Sequence, residues 1–426
     1  MAAMRYLLER ATPLVIWAGV SCSSGVSPAD NVTVVDSAGV TIVTHGSGDH
    51  VQQFEHARVS RVPTVQIGSV EDEATALYRV TDAVRMANGG IAVANSGSGE
   101  VRLFDSNGRF SHSLGGAGSG PGEFGRLAAI GVSSSGHLLA YDSQNGRVST
   151  FDPDSRRLIG SISIRVSPDL YSLAGMRRAT PIGWLRDGTF VGYYNTQEGE
   201  TIPGRDGWTH RQYMSNIHFF DQGQSSEILA TAPGRQTWVM INSTGEGSVR
   251  MQGVANPFLP TFETATDGKI VAFGTTQRFD VRMLDTSGAV VRIVRREQER
   301  RPVSERQRDV WVSGQLGDIE DDGTERSRRR RALYDDIPFP DTLPAFEALS
   351  LQHGGRLWVK ETSLDDPTLT AASWSVFDTD GRPLGAVEMP AGLQPFEIGT
   401  DHVLGVWKDD LGVEYVQLYD LVDVGS

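Results

Sequence analysis

The chain has 426 residues, of which 39% are hydrophobic and 22% are charged, as in an ordinary soluble protein. Its formal net charge of −14 at pH 7 argues against nucleic acid as a partner, because contact with the phosphate backbone requires a basic face. The 48 glycines are typical of an all-β chain with many tight turns. The single cysteine, Cys22, excludes an intrachain disulfide bond.

Residues 1–22 have the layout of a secretory signal peptide. Arg5 and Arg10 precede a short apolar run, residues 11–20, and small residues follow it. This run is too short to span a bilayer, which needs about 20 apolar residues, and no later segment is apolar enough to do so. The N-terminus therefore predicts that the protein is exported.

The end of this segment resembles the lipobox of bacterial lipoproteins. Residues 19–22 read Gly-Val-Ser-Cys, although Gly19 stands where the lipobox usually has Leu or another large aliphatic residue. The resemblance implies that Cys22 is lipidated and becomes the mature N-terminus; the alternative is an ordinary cleaved signal with an incidental cysteine. Residues 23–30 are small and polar and contain Pro, as expected of a tether to a membrane.

One pattern occurs six times along the chain: an apolar strand that ends in an aromatic residue or Leu followed by Asp. The copies are VRLFD (Val101–Asp105), VSTFD (Val148–Asp152), IHFFD (Ile217–Asp221), VRMLD (Val281–Asp285), WSVFD (Trp374–Asp378) and VQLYD (Val416–Asp420). A hairpin, usually with Gly in its turn, and a second apolar strand precede each copy. Six such units predict an all-β, six-bladed β-propeller, because blades bury their faces only against one another.

Closure of the propeller requires one more strand. Residues 32–43 read as a strand, a turn with Gly39 and a second strand, whereas the last unit leaves little room for a fourth strand after Asp420. We therefore expect residues 32–43 to complete the last blade and to cover a sheet edge that would otherwise invite aggregation. The propeller then takes up residues 31–426.

The spacing of the units predicts an insertion between the fourth and fifth blades. The Asp residues of copies four and five are 93 positions apart, against 47 for copies one and two, and the extra length lies in residues 295–346. Ser304 as an N-cap predicts a helix that extends to about Leu316, and a second helix is expected from Thr324 to about Tyr334. Long insertions on repeat scaffolds often carry the binding function.

The insertion contains an arginine-rich run at residues 326–331. One interpretation is a patch for an anionic ligand or a lipid headgroup. The other is a solvated helix face that pairs with the acidic residues 318–322. The sequence by itself leaves both interpretations open.

Residues 114–124, LGGAGSGPGEF, resemble the glycine-rich loop between blades of NHL-type repeats. In that family a glycine hairpin, a strand ending in Asp and a Phe-Asp pair follow the loop; here Gly136, Asp142 and Asp152 mark those features in the same order. The resemblance covers residues 80–158 and fades to the Asp-ended strand in later blades. It implies a six-bladed propeller of the exported bacterial lipoprotein type, a broad class whose members have many roles.

The same loop also invites comparison with a phosphate-binding loop. Such a loop follows a strand, opens a helix and, in the Walker form, presents Gly-Lys-Ser/Thr, and none of these features is present in this segment. We expect the glycines to form tight turns and Phe124 to wedge between blades.

The most plausible place for chemistry is the mouth of the central channel. Second strands would deliver Asn95, Asp142 and Glu361 there, and Asp82 and Glu347 lie near the starts of innermost strands. Carboxylate and amide oxygens suit a hard cation such as Ca²⁺, and propeller lactonases use a central oxygen cage of this kind. The alternative is that Asn95 and Asp142 accept hydrogen bonds from backbone N–H groups of adjacent turns.

Two functions follow from these observations. The first is an exported, lipid-anchored protein of the cell envelope, periplasmic or associated with the outer membrane, that binds or scaffolds a protein, peptide or glycan and needs no cofactor. Its binding surface would draw on exposed aromatic residues; the candidates are Tyr193, Tyr194, Trp208, Trp358 and Trp407. The alternative is a divalent-cation-dependent, lactonase-like hydrolase or lyase at the channel mouth, although the sequence lacks a Gly-x-Ser-x-Gly or His-Glu-x-x-His motif.

Overall fold

Short alternating apolar segments with glycine turns form the strands of the protein. The computed structural model describes residues 32–46, 57–164, 178–197, 206–243, 249–317, 319, 322–362 and 371–423. The predicted signal peptide, the tether and Cys22 lie outside these residues. None of the described helices is long and apolar enough to cross a membrane.

The described residues contain 29 strands and two helices. The strands are β1 (Val32–Ser37), β2 (Val40–His45), β3 (Ala57–Val59), β4 (Val65–Ile67), β5 (Val80–Arg85), β6 (Ile91–Asn95), β7 (Glu100–Phe104), β8 (Phe110–Gly115), β9 (Leu127–Val132), β10 (Leu138–Asp142), β11 (Arg147–Asp152), β12 (Arg157–Ser163), β13 (Thr180–Trp184), β14 (Phe190–Gln197), β15 (Gly207–Asp221), β16 (Gln224–Ser225), β17 (Ala230–Ser243), β18 (Val249–Val254), β19 (Phe262–Thr266), β20 (Val271–Thr275), β21 (Asp280–Leu284), β22 (Val290–Arg296), β23 (Ala348–Leu351), β24 (Leu357–Lys360), β25 (Ala371–Phe377), β26 (Pro383–Pro390), β27 (Gln394–Ile398), β28 (His402–Lys408) and β29 (Glu414–Asp423). The helices are α1 (Glu305–Gly317) and α2 (Glu325–Asp335).

These strands form six antiparallel sheets, one for each repeat unit. Blades 1 to 6 begin at β5, β9, β13, β19, β23 and β27, and each runs outward in chain order. The six innermost strands contact one another in a closed ring, in which β27 of the last blade meets β5 of the first. The predicted six-bladed β-propeller is confirmed.

The Asp of the repeated pattern forms the outer turn of its blade. In blade 1 the Oδ1 atom of Asp105 accepts hydrogen bonds from the backbone N–H groups of Asn107 and Arg109, both at 2.9 Å. Gly108 completes the turn with a φ of 77°, a region that disfavours residues with a Cβ atom. The Asp residues of blades 2, 4 and 5 accept equivalent hydrogen bonds. The role of the repeated Asp is therefore to stabilise the turn.

Phe124 occupies the apolar layer between blades 1 and 2, as expected. Its side chain is 2% exposed and packs against Phe151, with ring centroids 6.1 Å apart. Burial of a phenylalanine contributes roughly 1.5–3 kcal/mol. A Cβ atom at Gly115 would lie 2.3 Å from the ring of Phe124, so the glycine-rich loop allows the backbone to approach this wedge closely.

The propeller is closed by an N-terminal segment, but the predicted segment was wrong. Strand β4 pairs with Val416–Leu418, and β3 pairs with the end of β29, so these two strands together form the outer edge of blade 6. The closing residues are 57–67. Their strands are only three residues long, which gives a weak signal in the sequence.

The hairpin that was expected to close blade 6 lies on blade 4 instead. Strand β2 runs parallel to β22, with Thr41 opposite Arg292 and His45 opposite Arg296. Val43 is fully buried there, and the Nε2 atom of His45 lies 2.9 Å from the carbonyl oxygen of Gly381 in blade 5. The alternating pattern predicts this hairpin correctly but carries no information about which blade edge it joins.

Blade 3 is extended beyond the usual four short strands. Strands β15 and β17 have 15 and 14 residues, so β15 is roughly 50 Å long at 3.3 Å per residue. Residues 207–212 pair with residues 236–241, and β18 pairs with the far half of β17. This three-stranded extension was not predicted from the sequence.

The insertion folds as the two predicted helices. At α1 the Ser304 hydroxyl accepts a hydrogen bond from the Gln307 N–H at 3.3 Å, and the Gln307 side chain accepts one from the Ser304 N–H at 2.8 Å, which forms a capping box. At α2 the Thr324 hydroxyl accepts from the N–H of Ser327. Both helix predictions are confirmed.

The two helices pack on the extension of blade 3. Leu333 and Ile337 form an apolar cluster with Val254 and with the half-buried Trp208 and Met240 of the extension. In a second cluster, Phe258 meets Phe339 and Trp311 at centroid distances of 5.5 and 6.2 Å. We call the described residues within 207–212, 236–254 and 302–342 the annex.

Candidate functional site

Asn95 at the end of the second strand of blade 1 has its hydrogen-bonding capacity used by the protein itself. Its Oδ1 atom accepts from the N–H of Tyr78 at 2.7 Å, and its Nδ2 atom donates to the hydroxyl of Ser98 at 2.9 Å. The side chain is 1% exposed. The amide therefore fixes the segment that leads into blade 1.

Asp142 occupies the same position in blade 2 and accepts several backbone hydrogen bonds. The N–H groups of Gly125, Arg126 and Gln144 lie 2.9, 3.0 and 2.9 Å from its carboxylate oxygens, and Asn145 contributes two further donors. Burial alone would raise the pKa of Asp142, but these hydrogen bonds lower it below the usual value for Asp. This carboxylate is well suited to anchoring the end of the glycine-rich loop.

Glu361 in blade 5 forms a nearly buried ion pair with Arg296 of blade 4. The two guanidinium nitrogens Nη1 and Nη2 each lie 2.7 Å from a carboxylate oxygen, and the side chains are 11% and 14% exposed. The hydroxyl of Ser375 also donates to Glu361, and the guanidinium of Arg296 stacks on the ring of Phe279 at 4.2 Å. The pair joins two neighbouring blades.

The two remaining candidates, Glu347 and Asp82, also have partners within the propeller. Glu347 pairs with Lys360, with 2.7 Å between carboxylate and ammonium. Asp82 accepts hydrogen bonds from the N–H groups of Ala83 and Ile130, so it ties the innermost strand of blade 1 to that of blade 2. Burial raises the pKa of Asp82 to about 7, although both hydrogen bonds oppose this effect.

Among the described residues, no group of three or more His, Cys, Asp and Glu side chains is arranged to hold a metal ion. Each of the five predicted side chains has a different set of partners. The binding of a cation at the channel mouth stays a prediction.

Two carboxyl groups of the innermost strands, one half-buried and one buried, were not recognised in the sequence. Burial raises the pKa of Glu263 in blade 4 to about 7, and its Oε1 atom accepts a hydrogen bond from the hydroxyl of Thr261 at 2.8 Å. Glu397 in blade 6 is 8% exposed and accepts from the N–H of Arg85 in blade 1 at 2.8 Å. An acidic residue next to a phenylalanine within an innermost strand was the available signal.

Glu397 belongs to a charged cluster at the opposite channel mouth, where innermost strands end and second strands begin. The Nε2 atom of His402 lies 3.1 Å from Glu397, and its Nδ1 atom lies 2.7 Å from Asp401, which also pairs with Arg85. His353 of blade 5 lies 3.8 Å from Glu397. Burial alone lowers the pKa of His402, but the hydrogen bonds to the two carboxylates raise it above the usual value.

This cluster predicts a pH dependence of stability. A histidine whose pKa is raised by folding stabilises the folded state below its unfolded pKa, and the contribution is lost as the pH rises through its folded pKa. We expect His402→Gln to lower the free energy of unfolding more at about pH 5.5 than at about pH 8.5. Urea unfolding of both proteins at the two pH values is the measurement, and an equal loss at both would contradict the prediction.

The aromatic candidates divide between the core and the annex. Tyr194 and Trp358 are 5% and 0% exposed, so neither is available to a ligand. Tyr193 and Trp407 are half-buried beside other aromatic rings. Trp208 packs in the apolar cluster beneath α2.

A groove with a cavity volume of about 1130 Å³ lies between α2 and the extension of blade 3. Exposed arginines line both walls together with the exposed Glu325, and apolar side chains contribute the floor. We call it the basic groove; its defining residues are Met240, Arg250, Arg326, Arg329, Arg330 and Leu333. Among the described residues, the side chain of Arg329 pairs with Glu325, whereas the side chains of Arg250, Arg326 and Arg330 have no ionic or hydrogen-bonding partner.

The groove bears on the two interpretations of the arginine run. Arg328 and Arg331 donate to the carbonyl oxygens of Gly323 and Ile319, so part of the run is paired locally. Residues 318, 320 and 321 of the acidic stretch lie outside the described residues. Arg326 and Arg330 line the groove, which favours the anionic-ligand interpretation for these two side chains.

The comparisons with known proteins agree with the fold. The DUF5128 family, described as a six-bladed β-propeller, matches residues 72–176, which is well under half of the chain. No curated protein sequence matches the chain significantly. The resemblance to NHL-type repeats and the lipoprotein assignment stay predictions.

Among solved structures, a candidate exported protein from Bacteroides fragilis aligns with 90% of this chain and 99% of its own, at 12% identity and a TM-score of 0.47. A DUF4221 family member from Bacteroides vulgatus aligns with 87% of this chain and 99% of its own, at 9% identity and a TM-score of 0.44. A gluconolactonase from Xanthomonas campestris aligns with 87% of this chain and 99% of its own, at 12% identity and a TM-score of 0.36. These similarities are too distant to support an inference about function.

Proposed function

We propose that this protein is an exported, lipid-anchored propeller of the cell envelope that binds or scaffolds a protein, peptide or glycan. The observation that supports this function best is the annex. Two unrelated departures from the repeat, the extension of blade 3 and the insertion between blades 4 and 5, come together on one side of the protein.

The annex is not needed to close the propeller, since the ring of six innermost strands is complete without it. It nevertheless has apolar clusters of its own, built on Trp311, Phe339 and Leu333. These clusters hold an exposed cationic groove in place on a chain whose net charge is −14. Ordered segments outside a scaffold that present unpaired polar groups are typical of binding sites.

The alternative function is a divalent-cation-dependent hydrolase or lyase at the channel mouth. It would use Asn95, Asp142 and Glu361, with Asp82 and Glu347, to bind Ca²⁺. The raised pKa values of Asp82 and Glu263 are the one feature that favours it, because perturbed carboxyl groups are common in active sites.

The two functions can be separated with a variant that lacks the insertion. The N–H of Leu343 donates to the carbonyl oxygen of Arg301 at 2.8 Å, so a short Gly-Ser turn can replace residues 302–342. In living cells, cross-linking should join the wild-type protein to envelope components that this variant does not reach. Cys22→Ser should release both proteins from the membrane fraction without changing their fold.

Two results would contradict the binding function. The first is an identical cross-linking pattern for the wild-type protein and the variant without the insertion. The second is calorimetric binding of Ca²⁺ together with hydrolysis of a lactone, both abolished by Asp142→Asn. The second result would support the alternative function.

A further inference from the structure

We propose that the basic groove and the outer edge of β18 together bind an extended acidic peptide segment of a partner protein. The segment adds to the extension of blade 3 as a further strand and places alternate carboxylates against the arginines of α2. This inference rests on the proposed binding function and names its ligand class.

An unpaired strand edge lies beside the groove. The sheet order of blade 3 ends at β18, and the six residues of β18 pair with β17 alone. Among the described residues, the outer side of β18 has no backbone hydrogen-bonding partner. Such an edge is a template for an added strand, and β18, Val-Arg-Met-Gln-Gly-Val, contains no proline that would prevent pairing.

Blade 4 of the same protein already accepts an added strand in this way. Its own outermost strand, β22, is covered by β2, which comes from a distant part of the chain and runs parallel to it. The outer edge of a blade in this protein is therefore compatible with strand addition. The edge of β18 differs because a wall of positive charge stands beside it.

The register between β17 and β18 shows which face of the sheet lines the groove. Asn242 is opposite Arg250 and Met240 is opposite Gln252, and all four side chains line the groove. Alternate residues of a strand share one face of a sheet, so this is the face that α2 covers. A strand added beside β18 would lie about 4.8 Å away and would direct every second side chain to the same face.

The arginines of α2 match the side chains of an acidic strand in charge and in spacing. Arg326 and Arg330 are one helical turn apart, roughly 6 Å along the axis, and alternate residues of a strand are roughly 6.6 Å apart. A strand that runs along α2 could thus pair two alternate carboxylates with two guanidinium groups. Guanidinium groups bind carboxylates with two parallel hydrogen bonds, which favours Glu or Asp over a diffuse anionic surface.

The charge of the whole protein makes the groove selective for acidic segments. The net charge of −14 makes the protein as a whole repel acidic chains, so the unpaired arginines of the groove supply a local attraction against this background. The floor of Met240 and Leu333 offers apolar contact for the carbon stems of the acidic side chains. Local attraction on a repulsive surface selects a short acidic segment rather than a long polyanion.

Fluorescence polarisation with the purified full-length protein tests this proposal. The probe is a labelled peptide of about eight residues with alternating Glu and Thr, long enough to cover β18. A peptide of alternating Lys and Thr controls for charge. A Glu-Thr peptide N-methylated at alternate residues keeps its charge but cannot form the strand ladder.

The test variant is Arg250→Glu with Arg330→Glu, which reverses one charge on each wall of the groove. The matched control is Arg157→Glu with Arg306→Glu, which alters an exposed arginine on the outer strand of blade 2 and one on α1. Both variants change the net charge equally. We expect the test variant to weaken binding of the Glu-Thr peptide by roughly tenfold or more, and the control to change it by less than about twofold.

Three results would overturn the proposal. These are equal weakening by the two variants, equal binding of the N-methylated peptide, and no binding of the Glu-Thr peptide at all. Vesicles of phosphatidylglycerol that bind the wild-type protein but not the test variant, without peptide binding, would assign the groove to a membrane surface instead. The proposed binding function would survive each of these results if cross-linking in cells still required the insertion.

Discussion

A protein that lacks residues 1–68 should fail to fold, whereas one that lacks only residues 1–46 should keep the propeller. The longer truncation removes β3 and β4, which form the outer edge of blade 6 and bury Ala57, Val59 and Ile67. Burial of Val59 and of Ile67 contributes roughly 1.5–3 kcal/mol each, and burial of the Ala57 methyl group about 0.8 kcal/mol. With the lost strand pairing, the sum approaches the 5–15 kcal/mol of net stability that is typical of folded domains.

The shorter truncation removes only the hairpin β1–β2 from the edge of blade 4. Blade 4 keeps its four strands β19–β22, and Val43 and His45 are the buried side chains that are lost. We expect a lower melting temperature but an intact fold. Circular dichroism during heating measures the melting temperature, and size-exclusion chromatography shows whether the protein is still compact. If the protein that lacks residues 1–68 also folds, residues 57–67 are not needed to close the propeller.

Arg296→Met should be the most damaging single substitution in the inter-blade contacts. It leaves the carboxylate of Glu361 almost buried without its bidentate partner, and it removes the cation over the ring of Phe279. Loss of one partner of a buried ion pair costs about 3–5 kcal/mol, because the other charge stays desolvated. We expect the free energy of unfolding to fall by about 3 kcal/mol, measured by urea denaturation.

Two variants test the physical reason for this loss. Arg296→Met combined with Glu361→Met should recover a large part of the stability, because an apolar pair of similar volume has no charge to desolvate. Arg282→Met removes a partner of Asp280 at an exposed pair, with side chains 44% and 26% exposed, and should cost less than about 1 kcal/mol. Equal losses for Arg282→Met and Arg296→Met would refute the argument from burial.

These two predictions share one structural principle. The blades touch through apolar layers, and polar side chains at several blade boundaries supply the remaining contacts. Asp82 bonds to the backbone of blade 2, Glu397 to that of blade 1, and Glu361 to Arg296. Two of the acidic groups that resemble a ligand cage in the sequence, Asp82 and Glu361, thus act between neighbouring blades.

The annex follows a different principle. Its helices and its long hairpin have no partner within the repeat, so they bury their apolar faces against each other. The charged faces that remain are directed to solvent, and the exposed edge of β18 lies next to them. Recognition is therefore expected at the side of the propeller, away from the central channel.

Much of the fold could be predicted from local patterns. The Asp-ended strand identifies each blade because Asp105 and its equivalents form the same turn every time. The helix caps at Ser304 and Thr324 were recognisable for the same reason, since each cap involves residues three positions apart. Phe124 was recognisable from the glycine-rich loop that precedes it.

The candidate site was less predictable. The sequence places Asn95 and Asp142 at the ends of second strands, which is correct, but it does not show which donors their oxygens meet. Those donors come from other segments, such as the N–H of Tyr78 for Asn95 and that of Gly125 for Asp142. Glu263 was missed, and of the basic groove only the arginine run of α2 was recognised, because both environments are formed by residues far apart in the chain.

The sequence by itself determined the number of blades, the turns that separate their strands and the two inserted helices, because each depends on residues within a few positions of one another. Only the tertiary structure decided which N-terminal segment closes blade 6, which blade carries the hairpin of residues 32–45, and where the insertion docks. The physical reason is that every blade offers an outer edge with the same backbone hydrogen-bonding groups. The choice among these edges depends on side chains, such as Ile67 and Val43, that become buried only after the whole ring has formed.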